Sequence, residues 1–215
     1  LEEGQNFGGK VKYGWGSDGN SHQSTAMLYG RAGDLDLLGY FNYRHQLNGK
    51  DGNGLENSNK GRLQDYLFKA KYNISPEQWV KISAERYHNT AFSCFRANFG
   101  WCLGDVPPPG VKNDKASRGK EYTGIERKTY TLSYGFQPSD NKLVDLKANL
   151  YSTGTDNSSM GSPKSNVKTT GLSLSNRSLF DLGVTSHNVL VGAEYYQTKG
   201  LRYAGADTNR KTNVT

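Results

Sequence analysis

The residues of this chain best suited to chemistry are two cysteines, four histidines and one glycine-rich stretch. Gly14-Trp15-Gly16-Ser17-Asp18-Gly19 has the spacing G-x-G-x-x-G, and Asp34 follows near the distance of a ribose-binding acid. A dinucleotide site needs that loop between a buried parallel strand and a helix, and such strands read as nearly continuous apolar runs. Lys10 and Lys12 interrupt the strand here, and Ser21 to Gly30 is too short and polar for a covering helix. No further strand–helix units follow, so the stretch reads as a turn. Cys94 and Cys102 stand eight positions apart in the longest segment without strand pattern. In an exported protein such a pair is ordinarily a disulfide closing a loop. The bridge would hold Phe95, Arg96, Phe99 and Trp101 at a loop tip.

His22, His45, His88 and His187 are candidate metal or haem ligands by residue type. Strand alternation puts the first three on an outward face at one end of their strands and His187 at the opposite end. Those are interfacial positions, and no metal site is expected. No Ser-His-Asp order, paired carboxylates or H-E-x-x-H occurs, so no catalytic residue is assigned and the chain is not expected to be an enzyme.

Residues alone do not make a site; the elements that carry them must be identified. Only 34% of the 215 residues are apolar and the mean hydropathy is -0.78. Yet 14 Tyr, 8 Phe and 3 Trp are far more aromatic surface than a disordered chain carries. Two classes reconcile these facts: a secreted all-β domain, and an outer-membrane barrel with apolar residues outward and polar residues inward. No apolar run is long enough for a spanning helix, and no signal peptide is present. Leu1 in place of Met, and an end at Thr212-Asn213-Val214-Thr215 that looks unstructured, suggest an excerpt. The net charge of +7 is spread along the chain without a basic block, so nucleic acid is not an expected partner.

Period-two alternation decides between the classes. Phe7, Val11, Tyr13 and Trp15 alternate with Lys10 and Lys12; Ala26 and Leu28 alternate with Thr25, Met27, Tyr29 and Arg31. Leu35, Leu37, Gly39, Phe41 and Tyr43 oppose Asp36, Tyr40, Asn42 and Arg44. Tyr66, Phe68, Ala70, Tyr72 and Ile74 oppose Asp65, Lys69, Lys71 and Asn73. The series continues through Val80, Ile82 and Ala84; Tyr130, Leu132, Tyr134 and Phe136; Val144, Leu146, Ala148 and Leu150; Leu172 and Leu174; and Val189, Val191, Ala193 and Tyr195. This gives about nine strands of roughly ten residues, the length that crosses a bilayer when tilted.

The connections fall at 17–21, 33–34, 48–61, 75–77, 89–121, 137–142, 154–165 and 181–186. Every second one is a tight turn, and all but the first of the others are longer. Short periplasmic turns opposite longer external loops are the pattern of an outer-membrane barrel. Tyr13, Trp15, Tyr43, Trp79, Tyr87, Tyr134, Phe136, Tyr151, Phe180 and Tyr195 lie near predicted strand ends, where aromatic girdles would put them.

Leu1-Glu2-Glu3-Gly4-Gln5 followed by Gly8-Gly9 resembles the plug-to-barrel junction of TonB-dependent outer-membrane receptors, in the branch that takes up haem from haemoglobin and includes transferrin and lactoferrin receptors. Gly30-Arg31-Ala32-Gly33-Asp34-Leu35-Asp36 resembles the second and third strands of that branch, and Leu172-Ser173-Leu174-Ser175-Asn176-Arg177-Ser178 and Leu190-Val191-Gly192-Ala193-Glu194-Tyr195-Tyr196 resemble its middle barrel. The resemblance implies an all-β, antiparallel transmembrane β-barrel of about twenty-two strands around a plug. Residues 1–215 would be its amino-terminal part, without plug or carboxy-terminal strands. It further implies a bacterial outer-membrane location, haem as transported ligand with no covalently bound cofactor, and as partners a TonB complex, a host haem protein and outer-membrane lipid. A ferric-siderophore receptor of the same fold, or a porin or adhesin, are the alternatives. The family's haem-ligand histidines lie in the plug and in a later loop, so none transfers to a position here. The ligand-contact candidates are His88, Arg96 and Trp101, because cationic and aromatic groups suit haem or a protein surface. Lys69, Lys71 and Lys147 are expected to face the lumen, mostly paired with Asp65, Asp145 or plug carboxylates.

Overall fold

The structure, a computed structural model, describes residues 6–50, 52, 54, 56–57, 60–94, 120–159, 162–204 and 208–214. Its strands are β1 (Phe7–Gly16), β2 (Ser21–Ala32), β3 (Leu35–Gln46), β4 (Gly49–Lys50), β5 (Glu56–Asn57), β6 (Gly61–Ser75), β7 (Gln78–Cys94), β8 (Lys120–Phe136), β9 (Leu146–Ser159), β10 (Ser162–Leu182), β11 (Thr185–Ala204) and β12 (Thr208–Val214). Ten of them form one sheet in the order β1-β2-β3-β6-β7-β8-β9-β10-β11-β12, each strand antiparallel to the next, and β4 and β5 make a separate small hairpin. Every strand of the large sheet therefore pairs with its neighbour in sequence, the meander expected of a barrel wall.

The pairing register sorts the alternating residues onto two faces. One row runs Phe7, Gly30, Leu37, Ala70, Ile82, Leu132, Leu150, Leu172 and Tyr195 across nine strands. All the alternating apolar sets anticipated from sequence share this face. Among the described residues no large side chain is fully buried; Val11 is 79% exposed and Tyr195 75%. A single sheet with a bare apolar face contains no core of its own, and such a face is stable only against lipid or a covering layer.

The apolar band also drifts across the register. On β1 its upper edge is Trp15, whereas on β10 it is Leu172, which lies in the row of Phe7, eight residues lower. With about 3.4 Å per residue and about 4.8 Å per strand, that drop across seven strand steps corresponds to a tilt of roughly 40°. Spanning barrels tilt their strands by about 35–45°. The residue pattern and the pairing register thus agree on a band perpendicular to a barrel axis.

Several element ends differ from the sequence reading: β7 runs on to Cys94 and β8 starts at Lys120, inside the connection expected at 89–121, and β4 and β5 lie in the one expected at 48–61. The sheet has ten strands, because Thr208–Val214 pairs with β11, and Thr212-Asn213-Val214 of the end expected to be unstructured belong to that strand. The segment 154–165 is not a loop: β9 and β10 run on to Ser159 and from Ser162, as side-by-side pairing outweighs the turn-like composition of Asn157-Ser158-Ser159. The connection after β8 extends to 145 and is tied to β10 by Leu179 N–H to the Lys142 carbonyl at 2.8 Å and Arg177 N–H to the Asp145 carbonyl at 3.1 Å. The glycine-rich stretch is the end of β1 followed by a single 3-10 turn, Asp18–Asn20, not the opening of a helix. Gly19 has φ +62, its carbonyl accepts from Leu47 N–H at 2.7 Å, and a Cβ there would strike the Leu47 carbonyl.

The tight-turn rim is held by side chains as well. Glu77, between β6 and β7, accepts from the Ser139 backbone N–H at 2.7 Å and hydroxyl at 2.6 Å. These bonds, hydroxyl first and amide second, hold its carboxyl below the ordinary glutamate range. A carboxyl whose pKa is lowered on folding adds stability above its unfolded pKa, about 4.3, and loses it as the pH falls through the folded value. Glu77→Gln is therefore less stable than the parent at pH 7, and the gap closes on acidification below about 4.3. Urea midpoints of the two proteins across pH 3–7 measure this; a gap that ignores pH would show that the contact contributes nothing.

Candidate functional site

The face opposite the apolar band carries the polar chemistry. From β2 to β11 it presents hydroxyls, amides and charges linked laterally: Thr25 Oγ1 and Gln23 Nε2 donate to Asn42 Oδ1, Ser83 bonds Thr131, and Thr169 bonds Thr198. This is the surface a barrel turns toward its water-filled or plugged interior. Period-two alternation fixes it, since the register that puts Ile82 and Leu132 outward puts Ser83 and Thr131 inward.

Among the charged groupings on this wall, which include the Arg31–Asp36 pair opposite Lys71, two surround aromatic rings. Nearer the loop side, Arg127 donates to Glu85 at 2.7 Å and lies 5.5 Å over the Tyr87 ring. Asp65 is register partner of Tyr87, and its buried Oδ1 has no hydrogen-bond partner among the described residues. Nearer the turns, the ammonium groups of Lys71 and Lys81 approach the Trp79 ring at 5.5 Å and 5.7 Å. Lys147 is paired with Asp145 at 3.6 Å, as expected, whereas Lys69 and Lys71 have no ion pair among the described residues. The Tyr151 hydroxyl donates to Glu194 at 2.7 Å.

The aromatic girdle is accordingly smaller than the sequence suggested. Tyr13, Trp15, Tyr43, Tyr134, Phe136 and Tyr195 share the apolar face, but Trp79, Tyr87 and Tyr151 point to the polar one. Position near a strand end does not determine the face; parity does. Three interior aromatics lie on cross-strand glycines: Tyr29 on Gly8, Trp79 on Gly135 and Tyr151 on Gly171, each a direct register pair. The glycine provides the floor on which the ring lies flat.

The histidines fall where alternation put them. His22 and His45 are register partners on the apolar face, with His22 Nδ1 2.8 Å from the Tyr13 hydroxyl. His187 stacks on Phe180 at 5.3 Å near the turns. His88 sits on β7 between Gln64 and Glu126 on the outward face, above the apolar band. Arg96, Trp101 and Cys102 lie outside the described residues, and Cys94 ends β7. Among the described residues no His, Cys, Asp and Glu grouping could hold a metal ion. Sequence reading missed the Arg127–Glu85–Tyr87 group, although extending the parity of Lys81 and Ser83 one turn further along β7 would have found it.

No family model matches the chain. It is 25% identical over 223 residues to the TonB-dependent heme receptor A of Haemophilus influenzae (strain 86-028NP), covering 91% of this chain and 29% of that protein. It is 28% identical over 143 residues to the hemophilin receptor of Acinetobacter baumannii, covering 64% of this chain and 12% of that protein. The chain thus spans less than a third of the length of these relatives. Among solved structures, the Serratia marcescens hemophore receptor HasR, in complex with its hemophore HasA and heme, superimposes with a TM-score of 0.76 at 20% identity, over 96% of this chain and 29% of that one. The FrpB iron transporter of Neisseria meningitidis gives 0.73 at 16% identity, over 93% and 32%. The ferric citrate transporter FecA gives 0.63 at 18%, over 97% and 33%.

The glycine floor under Trp79 makes a specific prediction. Gly135→Val drives a side chain into the Trp79 ring and costs about 1–3 kcal/mol of overpacking. Gly39→Val, on the outward face with nothing near its Cβ, costs less than that. Denaturant unfolding of the two variants compares them; equal losses would remove the packing role of the Trp79–Gly135 pair. With its one-sided apolar wall, its polar opposite face and these similarities, the chain has the fold of an antiparallel transmembrane β-barrel wall and is similar in sequence to TonB-dependent receptors named for heme.

Proposed function

We propose that this chain is wall and loop structure of an outer-membrane, TonB-dependent receptor that takes up haem by binding and gated passage, without bond chemistry. The observation that carries the reading is the similarity over 91% of the chain to a TonB-dependent heme receptor. Residues 1–215 then form an amino-terminal part of the barrel, with TonB acting through a plug that this segment does not include. Haem is the transported ligand, delivered free or by a haem-carrying protein, and no resident cofactor is involved. The polar wall suits an anionic cargo: Lys69, Lys71 and Lys81 present positive charge inward, which favours propionate groups along the path.

For the first contact we propose the loop between β7 and β8, with Cys94 and Cys102 joined as a disulfide that fixes its tip. Arg96 and Trp101 offer a cation and an aromatic plane, the residue types that dominate binding hot spots, and His88 stands at the base of the loop. The second reading, a ferric-siderophore receptor, is favoured by the likeness in fold to the ferric citrate transporter.

Absorbance titration of the whole protein in detergent, with haem and in parallel with ferric citrate, distinguishes the two. Haem is expected to give a saturable Soret shift, and Arg96→Ala with Trp101→Ala to weaken it by about 30-fold or more, the loss of at least 2 kcal/mol typical of a hot spot. An unchanged affinity removes this loop from the site. Saturable binding of ferric citrate without any haem response overturns the haem reading in favour of the siderophore one.

A further inference from the structure

On β7 to β11 the outward face does not stop at the apolar band. The row above Ile82, Leu132, Leu150, Leu172 and Tyr195 is Ala84, Tyr130, Ser152, Thr170 and Gln197. The row above that is Arg86, Lys128, Gly154, Lys168 and Lys199. In β1 to β6 this same row is Val11, Ala26, Phe41 and Tyr66, still within the apolar band. Four of five positions turn cationic where the drift of the band lifts the row out of the lipid core. Each outward step is two residues, about 6.7 Å along the strand and about 5 Å along the membrane normal at such a tilt. The cations stand one step beyond the band on β7 and β8 and two steps beyond it on β10 and β11. That is roughly 5–10 Å, the depth of the headgroup layer.

These charges are not balanced by the sheet. Glu126 accepts from Arg86 at 2.7 Å and from Lys128 at 3.2 Å, so one carboxylate serves two cations. Asp156, on β9, accepts from the Asn166 amide and keeps its charge, so two carboxylates stand against four cations and leave a net positive row. Lys168 and Lys199 are direct register partners, exposed, and without an ion pair among the described residues. Like charges directly opposite on a sheet destabilise it unless an anion lies between them. Between Lys128 and Lys168 stands Gly154, with nothing within 4 Å of where its Cβ would be. The two flanking strands are about 9.6 Å apart across that gap, enough for a phosphate to be reached from both sides.

We propose that Arg86, Lys128, Lys168 and Lys199 form a binding site for the phosphate groups of an outer-leaflet lipid, with the notch at Gly154 seating one phosphate between Lys128 and Lys168. The inference rests on the membrane-barrel reading above but is independent of the cargo. Headgroup phosphates lie at the depth of the row and supply the missing negative charge.

The test is lipid retention by the whole protein, folded in detergent and followed by native mass spectrometry. The probes are bisphosphorylated lipid A, the same lipid A without phosphates, and inorganic phosphate. The parent is expected to retain the bisphosphorylated lipid and not the dephosphorylated one. Lys168→Gln with Lys199→Gln should weaken retention about 25-fold, roughly fivefold for each cation. Gly154→Leu, which fills the notch without changing charge, should weaken it as well. Equal retention by the lysine variant, or of the dephosphorylated lipid, overturns the proposal, and competition by millimolar inorganic phosphate overturns the assignment to a lipid. Heat-modifiable electrophoretic mobility reports insertion and folding separately. A protein that never inserts refutes the barrel reading and this site with it, whereas an inserted barrel indifferent to the substitutions refutes the site alone.

Discussion

A backbone crossing hydrocarbon must satisfy every N–H and C=O within the protein, because lipid offers no partner. Between its two outer edges this ten-stranded sheet meets that demand by pairing each strand with the next, with irregularities of register among the described residues at Asn73/Ser75 and Ser162/Ser165. Everything else follows from the continuity of that ladder. Once pairing is fixed, side chains have two faces only, and a slip of one residue would exchange lipid-facing Leu132 for Ser133 across the whole strand. Alternation in the sequence and register in the sheet are two views of one constraint.

The same ladder lets the strands outlast the membrane. β7, β8, β10 and β11 run for 17 to 21 residues, well beyond the roughly ten that a crossing requires. Above the apolar band the outward face has no lipid tails to meet, and within one or two steps its composition changes to Arg86, Lys128, Lys168 and Lys199. The inward face changes less, because polar residues recur along it at each level, with Leu38, Leu67 and Ile125 interspersed. Its charged groups, Arg127 with Glu85 and the two lysines about Trp79, divide it into a loop-side and a turn-side region.

Much of this was legible in the sequence, and what was not has physical reasons. The faces of β1, β2, β3, β6 and β8 follow from alternation alone, since one face meets lipid and the other water. β12 escaped notice because Thr208-Asn209-Arg210-Lys211-Thr212-Asn213-Val214 has no apolar partner pattern; it is a strand because β11 offers it an edge. The ends of β9 and β10 escaped for the same reason, being outside lipid where no alternation is imposed. Aromatic type and nearness to a strand end point Trp79, Tyr87 and Tyr151 to the girdle, whereas parity turns all three inward. Arg86 was open to the opposite inference: it continues the series Val80, Ile82 and Ala84, so its outward direction and the end of the apolar band on β7 are both written in the chain. The direct ligand contacts are a different matter, since Arg96 and Trp101 lie in a segment with no periodic pattern to place them.

One face of this sheet meets lipid and the other the barrel interior. Nitroxide labels placed singly at residues 129–135 of β8, in the whole protein reconstituted in a bilayer without other cysteines, test it most directly. Collision with oxygen, which concentrates in lipid, should be high at 130, 132 and 134 and low at 129, 131, 133 and 135. A flat profile, or the opposite phase, would contradict the account.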